Sequence, residues 1–403
     1  MNIKTKNVNW GDIEEEKEEK ESCNIISYQS FDDMGLKETV LRGIYSYGFK
    51  HPSVIQQRAI VPISTGRDII GQAQSGTGKT ATFTVGILQA VDESLMEPQC
   101  IIIAPTRELA DQINQVVTSL SVHAGIGSLV CIGGIKVRDN MNSLRRYPPH
   151  VVIGTPGRIL DLINRRALKL QSIKMLCLDE ADEMLSKGFQ EDVRDIISRV
   201  SENTQILLFS ATMPEECLEL TTRFMKSPIK ILVKKEQLTL LGISQFYVDC
   251  GQDRQKFGVL REIYSEFSIQ QAVIFCNSKR RVEWLADRMN EESFGVSKIH
   301  GGIPSAERME IMKDFRLGGT RVLISTDLLA RGIDVQQVSV VINYDLPFDK
   351  ENYLHRIGRS GRFGRKGVAV NFITQRDYRY LQLLKRFYDT DIAPLPKNFQ
   401  DLL

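Results

Sequence analysis

Seven short apolar runs, each stopping on small or polar residues, recur along this chain of 403 residues and restrict its fold more than any other feature. The first half carries "CIIIAPT" from Cys100, "VVIGTP" from Val151, "MLCLDE" from Met175 and "ILLFSAT" from Ile206. The second carries "AVIFCNS" from Ala272, "VLISTD" from Val322 and "VVINYD" from Val340. A strand with one wet face alternates apolar and polar residues; runs this continuous read as strands covered on both faces. Between them lie stretches with helical spacing, such as "ADQINQVVTSL" and "SAERMEIMKDF". Strands alternating with helices predict an α/β fold of doubly wound parallel sheets, with ligands at the carboxyl ends of the strands, where all the polar endings fall. The charged stretch "ILVKKEQLTLLGI" (Ile231 to Ile243) separates the two strand sets, so two similar domains facing one another across a cleft are expected.

Composition excludes other classes. Hydrophobic residues at 42% and charged residues at 25% are ordinary soluble-globular values. No apolar run approaches the ~18 residues of a membrane span, and no basic-then-apolar leader stands at the N-terminus. Seven scattered cysteines without a C-x-x-C pair argue against a disulfide framework or a zinc site and fit the cytosol or nucleus. The net charge of +2 decides little, because a nucleic-acid surface can be local. Locally the charge is uneven. "EEEKEEKE" (Glu14 to Glu21) lies in a stretch, residues 1–28, that reads as an acidic flexible or loosely helical tail. "HRIGRSGRFGRKG" (His355 to Gly367) packs four arginines and a lysine among glycines, a poor pattern for a plain helix face.

"GQAQSGTGKTA" (Gly71 to Ala81) follows the apolar "DII" and precedes a helical pattern. It is a phosphate loop in the form G-x-x-x-x-G-K-[ST], except that Ala73 stands where glycine is usual. Backbone N–H groups from Ser75, Gly76, Thr77, Gly78 and Ala81 would converge on phosphate oxygens; Lys79 would reach the β- and γ-phosphates and Thr80 would bind Mg²⁺. The acids ending "MLCLDEADEML" then gain a purpose. Three carboxylates within four residues repel one another, and leaving water costs each of them. Asp179, at the end of a strand of the same sheet, can stay ionised opposite the cation, and Glu180 can orient and deprotonate an attacking water. An exposed acidic helix start would account for one or two acids, not for the apolar strand ahead of them.

Asp179-Glu180-Ala181-Asp182 spells the motif of the DEAD-box RNA helicases, and from about residue 29 to 403 the chain resembles that family, short motif after short motif in the family's order. The resemblance implies two tandem RecA-like domains. It divides the chain into an adenine-reading region (29–57), a first domain (58–235), a linker (236–243) and a second domain (244–403). In "GFKHPSVIQQ" it puts Gln56 on the adenine edge, Phe49 on its face and the backbone near His51 close by; Phe31 also matches the family. An amide offers both the donor and the acceptor that adenine's edge requires. Family RNA-backbone contacts fall on Pro105, Thr106 and Arg107, on Gly133 and Gly134, and on Thr155, Pro156, Gly157 and Arg158. These grip phosphates and sugars, so no sequence preference is implied. Ser210 and Thr212 of "SAT", with Asp182, match the element coupling hydrolysis to strand separation. In the second domain Thr326 matches a phosphate contact and Asp334 a ribose contact. Arg359 and Arg362 match arginine fingers, worth roughly 10³–10⁵ in rate, and Phe363 would close over the adenine. Arg356, Arg365 and Lys366 receive no role. Two positions depart from the pattern: Gly302 replaces an acid after His300-Gly301, and Ser305 replaces a glutamine three residues before Arg308.

The implied activity is RNA-stimulated ATP hydrolysis with Mg²⁺, driving local, non-processive duplex unwinding in translation initiation. The alternative is an ATP-gated RNA clamp in an mRNA-processing assembly such as the exon junction complex. A monomer in isolation, working with RNA and a scaffold or regulatory protein in the cytoplasm or nucleus, and no membrane, completes the expectation.

Overall fold

The computed structural model describes residues 26–74, 76–185, 188–232, 242–266, 269, 271–330, 338–360 and 367–396. Ser75, Asp334, Arg362 and Phe363, residues 1–25 of the acidic tail and positions 233–241 around the expected linker lie outside the described residues.

The described chain forms two parallel seven-stranded sheets. In the first lobe β1 (Ile69–Gln72), β2 (Cys100–Ile103), β3 (Ser128–Cys131), β4 (Val151–Gly154), β5 (Met175–Asp179), β6 (Gln205–Ser210) and β7 (Ile229–Ile231) lie in the order β3-β4-β2-β5-β6-β1-β7. In the second, β8 (Ile243–Asp249), β9 (Ala272–Phe275), β10 (Val296–Ile299), β11 (Val322–Ser325), β12 (Val340–Asn343), β13 (Gly367–Ile373) and β14 (Ala393–Pro394) lie in the order β10-β11-β9-β12-β13-β8-β14. Counted from the first strand of each lobe the two orders are the same. These are two tandem RecA-like domains, and the two lobes meet across a cleft.

Residue alternation along the central strands explains the double winding. Ile102, Ile153, Cys177, Leu207 and Phe209 enter one core, with Phe31, Ile44 and Ile60 from the N-terminal helices. Their neighbours Ile101, Ile103, Val152, Leu176 and Leu208 enter another on the opposite face, with Ile159 and Val193. Each such side chain, fully withdrawn from water, contributes about 1.5–3 kcal/mol before entropy is charged against it. The second sheet repeats this, with Ile274, Ile324 and Ile342 on one side and Val273, Leu323 and Val341 on the other.

Two boundaries fall elsewhere than the sequence suggests. Helix Val54–Ser64 runs through residue 57, and Phe31 and Ile55 pack in the same core as Ile69, so the adenine-reading region is built into the first lobe. The stretch Ile231–Ile243 has strands at both ends: Ile231 closes β7 on the first sheet and Ile243 opens β8 on the second. The arginine-rich segment also begins as helix, since Lys350–Ile357 includes His355 and Arg356 before Gly358 caps it.

Candidate nucleotide and RNA site

The phosphate loop leaves β1 at its carboxyl end and enters the helix Lys79–Ala90. Gly71 opens the segment because its α-carbon faces Phe209 on β6; a β-carbon there would lie 2.5 Å from the ring. Ala73, in the place of the usual glycine, is held by its N–H donating to the Ser210 carbonyl at 3.1 Å. Gly76 and Gly78 have φ of 81° and 91°, a left-handed backbone that side chains resist, and Gly78 is the helix N-cap. Lys79 is buried, and its Nζ donates to the Ala73 carbonyl at 2.7 Å. Burial pushes its pKa down, while Glu180 and Asp179 pull it up and Arg359 of the other lobe lowers it again. Thr80 is half-buried and Ala81 buried in the first turn.

Gln56 is buried against this loop. A β-carbon on Gly78 would meet its Nε2 at 2.7 Å. Its Oε1 accepts from the Ser53 N–H at 2.8 Å, half of a capping box that starts helix Val54–Ser64. One amide therefore fixes the helix start and stands beside the phosphate loop. Phe49 is half-buried, its ring 5.0 Å from Tyr47 and 6.5 Å from Phe31, and His51 is exposed.

Asp179 closes β5, and Glu180 stands at φ +51°, a left-handed conformation for a non-glycine residue. Such a backbone costs of order 1–3 kcal/mol and persists only where its surroundings enforce it. Both carboxyls are buried. Desolvation first, and the neighbouring Glu180 charge second, push Asp179 up to about 7, with Lys79 acting in the other direction. Asp182 behaves differently. It accepts from the Ser210 hydroxyl at 2.8 Å and from the Thr212 hydroxyl, so β6 and the acid-bearing turn are tied together.

The second lobe completes this site. His355 is fully buried, and its Nε2 lies 3.0 Å from Asp182 Oδ2. A carboxylate only accepts, so that nitrogen carries the proton. His355 Nδ1 and Glu180 Oε2 have no hydrogen-bond partner and lie 3.9 Å apart. Arg359, 3% exposed, donates from Nε to the His355 carbonyl at 3.0 Å, and its charge reaches Lys79. Residues of both lobes thus surround one buried position beside the phosphate loop.

The RNA candidates of the first lobe gather at strand ends on the same edge. Thr106 caps the helix Arg107–Leu120, accepting from the Leu109 N–H at 3.2 Å, behind the buried Pro105. The Arg107 guanidinium lies against Gly133 and Gly134, within 2.6 Å of where a β-carbon on Gly133 would sit. Thr155 and Pro156 open the helix Pro156–Asn164, followed by the exposed Gly157. Arg158 spends its guanidinium inside the lobe, donating to Asn140 Oδ1 at 2.6 Å and to the Ile135 carbonyl at 2.8 Å. Thr326 caps the short turn Asp327–Leu329 in the second lobe.

Relatives agree with this geometry. Residues 53–220 match the model of the DEAD/DEAH box helicase family, and residues 255–364 match that of the helicase conserved C-terminal domain. The chain is 56% identical over 374 residues to the ATP-dependent RNA helicase eIF4A of Neurospora crassa, covering 93% of this chain and 94% of that protein. It is 55% identical to eukaryotic initiation factor 4A of Caenorhabditis elegans, covering 93% of each. The chain belongs to the DEAD-box helicase family. Among solved DEAD-box structures, that of S. cerevisiae Dbp5 bound to RNA and ADP BeF3 superposes with a TM-score of 0.86 at 36% identity, over 93% of this chain and 97% of that one. A DEAD box protein from Methanococcus jannaschii, also 36% identical and covering 92% of this chain and 100% of its own, gives 0.54. With identity equal and coverage near equal, the difference lies in how the two lobes are set against each other. This DEAD-box chain has the lobe arrangement of the ligand-bound relative.

Three residues of the site carry no role in the sequence reading. His355 belongs to the quoted "HRIGR" stretch, yet its partner Asp182 is 173 residues away and no local pattern joins them. Arg356, left open beside Arg365 and Lys366, is fully buried, donating to Asp327, Asn277 Oδ1 and the Asp345 carbonyl with its guanidinium 5.3 Å from the Phe275 ring centre. It braces the second DEAD-box lobe internally and is not presented to a ligand. Glu108 sits inside "PTREL" and meets Arg308 of the other lobe.

Proposed function

We propose that this chain is an ATP-dependent RNA helicase of translation initiation that works as a two-lobed clamp. The observation that carries the reading is the meeting of His355 and Arg359 with Glu180, Asp182 and Lys79 in one buried site. Gln56 reads adenine with Phe49 and Phe363 flanking it and the His51 backbone nearby, and Asp334 holds the ribose. The loop Ser75–Ala81 cradles the phosphates, and Lys79 exchanges its bond to the Ala73 carbonyl for the β- and γ-phosphates. Thr80 and Asp179 offer hard oxygen ligands suited to magnesium, and a cation there relieves the cost that burial and Glu180 impose on the Asp179 carboxylate. When bound, the ion neutralises phosphate charge and lowers the barrier to attack.

Glu180 orients a water and takes its proton as it attacks the γ-phosphorus. His355 Nδ1 faces the same space, so lobe closure adds a second polar group to the place where that water is held. Arg359 and Arg362 stabilise charge developing on the transferred phosphoryl. Asp182, with Ser210, Thr212 and His355, links this chemistry to lobe position. The RNA backbone is gripped by Pro105, Thr106, Arg107, Gly133, Gly134, Thr155, Pro156, Gly157 and Arg158 on one lobe and Thr326 on the other, without reading bases. Closure then strains a short duplex locally.

The eIF4A name of the relatives supports initiation over an assembly clamp, with a cytoplasmic setting and a scaffold protein partner. Among the described residues no helix is long and apolar enough to cross a membrane. The test is ATP hydrolysis by the purified full chain with and without single-stranded RNA of arbitrary sequence. Stimulation of at least about tenfold is expected, roughly 1.4 kcal/mol of barrier; an unchanged rate overturns the reading.

A further inference from the structure

The lobes touch at a second place, remote in sequence from the nucleotide motifs. Arg308 Nη2 of the second lobe lies 3.0 Å from Glu108 Oε1 of the first, and their side chains are only 8% and 4% exposed. Glu108 is in the first turn of the helix Arg107–Leu120, directly after Thr106 and Arg107. Arg308 is in the first turn of the helix Ser305–Arg316. That helix begins against the first lobe as well: a β-carbon on Gly134 would lie 3.3 Å from Ser305 Cβ. The pair therefore sits among the residues assigned above to the RNA backbone. It can form only when the lobes are together.

We propose that Glu108 and Arg308 are positioning residues, an interlobe ion pair that registers the second lobe over the first on the RNA side and so brings Arg359 to the nucleotide. This rests on the clamp reading above. Neither oxygen of Glu108 makes a hydrogen bond, nor does Arg308 Nε, so the pair is an ion contact without the hydrogen bonds that normally offset burial of charge. A pair of that kind adds little net stability, and it does not hold the lobes closed by itself. It does penalise any closed arrangement in which the charges miss each other, because each would then be buried alone. Closure is thereby made selective for one register and left dependent on the ligands for its driving force. Ser305 sharpens the point: with a short hydroxyl where the family pattern has glutamine, charge on this helix falls to Arg308.

The experiment compares Glu108→Arg, Arg308→Glu and the double reversal in the full chain, by ATP hydrolysis at varied concentrations of single-stranded RNA and by nucleotide binding without RNA. Each single reversal is expected to raise the RNA concentration for half-maximal stimulation at least tenfold while nucleotide affinity without RNA stays unchanged. The double reversal is expected to return to within about threefold of the unaltered chain, a rescue that a merely structural role would not give. Glu108→Gln and Arg308→Gln, gentler on folding, are expected to shift the RNA requirement in the same direction. Single variants of both kinds that behave like the unaltered chain overturn the proposal, as does a folded double reversal no better than the singles. If the unaltered chain itself shows no response to RNA, the clamp reading fails; if it responds and the variants do not differ from it, only the ion pair fails.

Discussion

Glu180 shows how a single side chain can be set by forces that pull against it. Its backbone is left-handed, its carboxylate is buried beside Asp179, and its Oε2 is left without a hydrogen bond. Such a group is poorly placed for stability and well placed to accept a proton. Glu180→Gln keeps the shape and removes the basicity; hydrolysis is expected to fall roughly 10²–10⁴-fold, the usual contribution of a general base, with nucleotide affinity preserved. Single-turnover hydrolysis together with equilibrium nucleotide binding measures both halves, and near-normal turnover would remove Glu180 from its assigned role. At this scale the sequence is informative where chemistry is local. The loop from Gly71 to Ala81 and the acids at 179, 180 and 182 announce themselves by spacing. Residues paired across lobes do not: His355 meets Asp182 over 173 positions, and only docking of the lobes brings them together. Gln56 was legible as a polar residue in a motif, but its capping bond to Ser53 was not.

Among the elements, strands covered on both faces were readable and those at the margins were not. β2, β4, β5, β6, β9, β11 and β12 are continuous apolar runs because helices shield both sides. β3 and β10 are edge strands with mainly half-buried residues, so "SLVC" and "VSKI" carry little apolar signal. β8 alternates in exposure, "ISQFYVD", and only pairing with β13 and β14 makes it part of a core sheet. Helix contacts were hidden for a different reason: they depend on backbone proximity. Gly43 in the helix Glu38–Ser46 lies so close to the end of Arg107–Leu120 that a β-carbon there would meet the Leu120 carbonyl oxygen at 2.0 Å. No flexible side chain can yield at that point, so the helices must part. Gly43→Ala is expected to destabilise the protein by about 1–3 kcal/mol, the usual range for overpacking, as read from the denaturant midpoint. A midpoint at or above that of the unaltered chain would mean the contact is looser than drawn.

At the scale of the whole molecule, the two lobes share one site without sharing its parts equally. Arg359 comes from the second lobe, so Arg359→Ala is expected to lower RNA-stimulated turnover at least about tenfold, roughly 1.4 kcal/mol, while nucleotide binding in the absence of RNA is retained. Parallel loss of both would assign this arginine to simple binding instead of to the reaction. The repeated strand order bears on something else. In the first sheet β1 runs into the phosphate loop; in the second, the strand in the same place, β8, runs into Cys250, Gly251 and Gln252 and then the turn Asp253–Gln255. That connection has no lysine-threonine pair behind a glycine-rich bend. Two copies of one architecture therefore amount to a single seat for a triphosphate, and a titration of the chain should saturate at one nucleotide per polypeptide.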